Sequence, residues 1–136
     1  MGRPTGDTLV RSGMAELAAG ALSGWVYTLA RQQPELARRL GIRNTARVRQ
    51  WHLDLAMLGT ATVVCGLAVP EPPRYAARAL QVGAWTNAMA FLPLAFRPDV
   101  DEHPAYVAGA AASFVATSVG FTGLAIAAGR RGRDRD

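Results

Sequence analysis

Three side chains can do chemistry in stretches that offer them little water: His52, Asn87 and Glu16. His52 follows Arg47, Arg49 and Trp51, and its helical face continues through Ala56, Gly59, Val63 and Gly66. Those residues make a nearly flat wall below the imidazole. Such a wall beneath an axial nitrogen suits a planar macrocycle: haem iron takes a histidine, the ring needs flat apolar surface, and arginines such as Arg47 and Arg49 pair propionates. The same pattern fits a histidine at the lipid headgroup level, above small residues that pack against a neighbouring helix. Spacing leaves both readings open.

Asn87 lies near the middle of another apolar stretch, with Gln81, Trp85 and Thr86 close by. An amide at membrane depth needs an interhelical bond, worth about 1 kcal/mol, or a ligand. Glu16 suggests different chemistry, because a lone membrane carboxylate carries protons or binds cationic substrates, as in a small proton-coupled exporter. It sits about one turn from the expected start of its span, so an interfacial, solvated glutamate is the competing expectation. Asp54, two residues beyond His52, points away from it and is expected to reach the interface. The segment Asp99, Asp101, Glu102, His103 has ligand types but no pattern that makes many oxygens converge, and reads as a solvated loop. The chain contains no glycine-rich phosphate loop, paired-cysteine zinc spacing or nucleophile elbow.

The elements that hold these residues read as membrane spans. Tyr106 to Ala128 runs for 23 residues without a charged side chain, long enough to cross a hydrocarbon core of roughly 30 Å. Three further spans are expected at Ser12 to Ala30, His52 to Val69 and Tyr75 to Phe96, the last two ending at the prolines 70, 72 and 73 and at Pro98. Gly20 and Gly24, four apart, allow the first span to approach another helix closely. Between the first two spans, residues 31–51 form an arginine-rich interfacial linker with a short helix from Pro34 to Leu40, stopped by Gly41. The expected fold is all-α: a single membrane domain over residues 1–136, an integral up-and-down four-helix bundle. The first apolar block carries Glu16 and lacks a cleavage pattern, so it is expected to be retained, not removed as a signal peptide.

Charge agrees with this placement. The net charge of +5 comes from 15 arginines and no lysine, clustered at Arg31 to Arg49 and Arg130 to Arg135. Such clusters beside apolar spans suit phospholipid headgroups, and no soluble fold is left to present them to nucleic acid. Eight arginines on the side of the termini face seven on the other, which does not fix sidedness; the charged tail inclines the termini to the cytoplasmic side of a multi-pass protein of the cytoplasmic membrane. Cys65 is the only cysteine, so no internal disulfide forms.

The run Arg49-Gln50-Trp51-His52, then an apolar helix, a proline turn, Ala77-Arg78-Ala79-Leu80 and Ala84-Trp85-Thr86-Asn87, resembles the styrene oxide isomerase and hydroxylaminobenzene mutase group. The resemblance covers roughly residues 47 to 98. It implies a small four-span membrane protein, a homo-oligomer of trimeric type, holding haem b whose ferric iron acts as a Lewis acid on an epoxide oxygen. The family's axial histidine matches His52, and its Gly-Trp-Ser-Asn element is similar to Ala84-Trp85-Thr86-Asn87. The expected site then has His52 on iron, Arg47, Arg49 and Gly59 around the cofactor, and Asn87 orienting substrate. Leu58, Trp85 and Phe91 line a pocket for a small apolar epoxide or related oxygenated compound. Leu58 and Phe91 stand where the isomerases place an asparagine and a tyrosine facing the reacting oxygen. Positioned donors contribute several kcal/mol in such sites, so their loss implies a different substrate, or a non-catalytic haem-binding or scaffold subunit.

Overall fold

The computed structural model describes residues 5–133, with the side chain of Arg133 left aside. Arg3 and the residues after Arg133, which entered the reading of sidedness, lie outside this range. The described residues are helical throughout, without a strand: α1 (Gly6–Gln32), α2 (Pro34–Arg39), α3 (Thr45–Ala68), α4 (Arg74–Met89), α5 (Phe91–Phe96), a 3₁₀ turn (Pro98–Glu102) and α6 (Pro104–Arg133). Two of them, α3 and α6, are long and apolar enough to cross a bilayer. The other two expected spans do not reach that standard, α1 by composition and α4, at 16 residues, by length. α1 carries Asp7, Arg11 and Glu16 in its first half, and α4 carries Arg74 and Arg78.

The expected third span is interrupted. Proline at position 93 has no N–H for the Met89 carbonyl and its ring crowds that turn, and the helix breaks at Ala90 into α4 and α5. The hydroxyl of Tyr106 on α6 donates to the Ala90 carbonyl at 2.7 Å and ties α6 to the point of division. The linker is shorter than expected, because α3 begins at Thr45, where the Asn44 side chain accepts from the Arg47 N–H. α2 ends as the glycine suggests. Gly41 takes φ +90°, its N–H bonds to the Arg38 carbonyl, and that of Ile42 bonds to the Ala37 carbonyl, the paired bonds of a Schellman stop.

Close packing comes from glycine. Cβ atoms built at Gly6, Gly13 and Gly20 would meet α3 at Gly66, Gly59 and Ala56, so α1 and α3 run antiparallel with backbones nearly touching. On the other side, Gly83 lies against Thr117, Gly120 against Leu80 and Gly123 against Ala76, a second antiparallel seam between α4 and α6. The two pairs meet over a buried cluster of Leu9, Val69, Ala76, Ala77, Leu80, Ala84 and Leu124. A second cluster, Ala30, Ala37, Ile42, Val48 and Ala95, pins α2 and the linker against the ends of α1, α3 and α5. The Ala95 carbonyl accepts from both Arg43 and Asn44, fixing the chain's entry into α3.

Candidate functional site around His52

The α1/α3 seam has a seven-residue repeat in both helices: glycines at 6, 13 and 20 in α1, and Gly66, Gly59 and then His52 in α3. At the third level a ring stands where the repeat would put another glycine. His52 Nδ1 lies 2.8 Å from the Gly20 carbonyl and 3.1 Å from Ser23 Oγ. Ser23 Oγ itself donates to the Gly20 carbonyl at 2.7 Å. A carbonyl only accepts, and the serine has committed its proton, so Nδ1 must carry the hydrogen that serves both. The lone pair of the neutral ring is then on Nε2.

Two further contacts set the ring plane. Tyr27 stacks on the imidazole with centroids 6.2 Å apart and planes 15° from parallel. Gly24 passes so close that an added Cβ would sit 3.2 Å from His52 Cε1. Beside Tyr27 opens a groove of 390 Å³ lined by Tyr27, Ala30, Arg31, Thr45, Ala46 and Arg49. Neither arginine of that groove pairs with a carboxylate among the described residues.

The remaining expected site residues do not gather at His52. Gly59 is covered: an added Cβ would lie 2.9 Å from both the Gly13 carbonyl and the Leu17 amide. The wall of small residues below His52 is therefore the bed of α1, which covers it. Leu58 packs on the central cluster between the helix pairs. Arg47 turns away from Arg49, over the ring of Phe91 at 6.0 Å and towards Gln50. Trp85 donates from Nε1 to Ser12 Oγ at 3.2 Å, two turns of α1 before Gly20. Asn87 is half-buried, and its side chain makes no hydrogen bond among the described residues. Interhelical glue on α4 comes instead from its neighbour Thr86, whose Oγ1 lies 2.8 Å from Ser113 Oγ of α6.

Glu16 differs from the interfacial expectation. α1 begins well before Ser12, so the carboxyl lies deep in the helix pack, 0 % exposed and with neither oxygen partnered. Asp54 is half-buried, and the acidic residues from Asp99 to Glu102 are exposed on the 3₁₀ turn.

Ser23, the Gly20 carbonyl, Tyr27 and Arg31 escape the reading of the sequence. The signal that could have found them is the matched spacing of 6, 13, 20 with 66, 59, 52, which sets the antiparallel register and so names the partners of His52. The donor geometry fits haem ligation, since a ligating histidine commonly gives its other N–H to a backbone carbonyl. The expected glycine wall does not fit a macrocycle; the groove beside Tyr27, which stacks on the ring, is the space near it, and His52 itself does not line that groove. Compared with known proteins, the chain matches no family model, no curated relative and no solved structure.

Proposed function

We propose that this chain is a multi-pass protein of the cytoplasmic membrane, an up-and-down four-helix bundle, that holds haem b on His52 in the manner of the styrene oxide isomerase and hydroxylaminobenzene mutase group. The observation that carries it is the double hydrogen bond at Nδ1, which leaves Nε2 free as a donor to iron. Membrane placement is supported by apolar side chains on the outer surface, among them Leu22, Trp25, Met57 and Leu67, each well over half exposed.

The residues that would hold the group are His52, with Tyr27 beside it and Arg31 and Arg49 in the adjoining groove for the propionates. When bound, ferric haem supplies a Lewis acid able to open a small apolar epoxide or related oxygenated substrate without net oxidation. The chain's own part is positioning. The Gly20 carbonyl and Ser23 fix the tautomer and Gly24 fixes the ring plane. A homo-oligomer, a trimer by the family resemblance, would enclose substrate between copies.

A second reading, a non-catalytic haem-binding subunit, is favoured by the dispersal of Leu58, Trp85, Asn87 and Phe91, which leaves no polar side chain of α4 or α5 aimed at His52. One preparation tests both. Full chain purified in detergent after expression with a haem precursor shows a Soret band, and His52→Ala lacks it at unchanged helix content. Absence of the band from the parent protein defeats the haem reading. A band without conversion of a styrene-type epoxide to aldehyde selects the non-catalytic one.

A further inference from the structure

We infer that Glu16 is a proton-binding site inside the helix pack, a carboxylic acid held neutral and able to exchange its proton. This is independent of any cofactor on His52. It rests first on burial without compensation: the residue is 0 % exposed, and neither carboxyl oxygen has a hydrogen-bond partner among the described residues.

The reason lies in how α4 meets α1. At Thr8 the carbonyl accepts from Gln81 Nε2 at 3.2 Å, and one turn on Ser12 Oγ accepts from Trp85 Nε1 at 3.2 Å. Each pair is offset by 73 residues, and the same step from Glu16 leads to Met89. Methionine has no hydrogen to donate, and its sulfur already faces Trp51 Nε1 at 3.3 Å. The series of donors from α4 thus stops one turn short of the Glu16 carboxyl.

α3 adds no partner. Gly13 and Gly20 bring residues 55–63 of α3 alongside Glu16; of the two hydroxyls there, Thr60 donates to the Ala56 carbonyl and the buried Thr62 Oγ1 bonds to nothing among the described residues, Glu16 included. The titratable groups nearest on that helix are His52, whose Nδ1 is engaged by Gly20 and Ser23, and Asp54, half-buried; α4 over residues 81–89 brings none. An isolated carboxylate without a cation or N–H donors is costly in such surroundings, whereas the neutral acid is tolerated. The ligand that fits is a proton.

The test uses the full chain in detergent micelles and dicyclohexylcarbodiimide, an apolar reagent that adds across a protonated carboxyl to give an O-acylisourea, which rearranges to the stable N-acylurea. Peptide mass mapping is expected to place the adduct on Glu16 at ten-fold or more the level on Glu35 and Glu71, which are exposed. Glu16→Gln abolishes that adduct. In parallel, a protonated-carboxyl infrared band that shifts in D₂O is present in the parent chain and absent from Glu16→Gln. Should Glu16→Gln fail to fold, the labelling ratio and the D₂O-sensitive band of the parent chain decide alone. Labelling at Glu16 no greater than at the exposed glutamates, with no protonated-carboxyl band in the parent spectrum, overturns the proposal.

Discussion

The two ends of the α1/α3 seam share one seven-residue spacing and carry different cargo. At the Gly6/Gly66 and Gly13/Gly59 levels, two backbones touch and nothing else fits. At the Gly20/His52 level, the same approach seats an imidazole against a carbonyl, a serine and a second glycine. Close backbone approach is therefore both a way to pack helices and a way to aim a ring. The carbonyl that accepts from Nδ1 is reachable only because α1 passes so near.

The largest effect is expected where backbone meets backbone. Gly66→Ala places a Cβ 2.6 Å from the Gly6 carbonyl, and neither strand of the contact can give way by a side-chain rotation. A loss of about 3 kcal/mol is expected for this overpacking, read as a lowered midpoint of unfolding in detergent. A stability equal to the parent chain would show that the seam is looser than described.

His52→Gly tests the comparison from the other side, because it completes the glycine repeat. It removes one ring–carbonyl bond, worth about 1 kcal/mol, and opens the way for α1 and α3 to close over the gap. With the cost of a glycine inside a helix added, a loss of about 2 kcal/mol is expected, smaller than for Gly66→Ala, together with loss of the Soret band that the proposed haem would give. Equal loss of stability in His52→Gly and Gly66→Ala would mean that the ring is a structural wedge.

Smaller changes sharpen the picture. Gly24→Ala sets a methyl 3.2 Å from His52 Cε1. The ring must yield by a few tenths of an ångström, at about 0.5–1.5 kcal/mol if it is driven off its rotamer; the imidazole ¹H–¹⁵N correlations report the move. Ser23→Ala leaves the 2.8 Å bond from Nδ1 to Gly20 intact, so a cost near 0.5 kcal/mol is expected, with the Nδ1–H tautomer retained in the same spectra.

Much of the helical architecture was legible in the sequence because its signals are local. Gly41, placed to stop a short helix opened by Pro34, does so through the bonds of Gly41 and Ile42. The uncharged run from Tyr106 forms one long helix. The proline at 93 is visible as well, but the way the helix divides at Ala90, whose carbonyl Tyr106 of another helix bonds, depends on a contact that local pattern does not carry. The site was legible only as a residue: His52 was picked out, whereas its partners on α1 depend on register across 32 positions of chain. Glu16 was misplaced for a similar reason. Apolar content put the start of its helix at Ser12, while the helix extends to Gly6 through polar residues, with Thr5 and Thr8 bonding reciprocally at its start.

Each glycine seam closes between helices of one half of the chain, α1 with α3 and α4 with α6, and the halves are tied to each other by a few side-chain bonds, by the bonds of Arg43 and Asn44 to the Ala95 carbonyl and by the two buried clusters. Synthesis proceeds in that order. A ribosome that has released the chain through Pro73 has already delivered every backbone contact of the first seam, and with it the seat of the imidazole. The second hairpin then has only to dock.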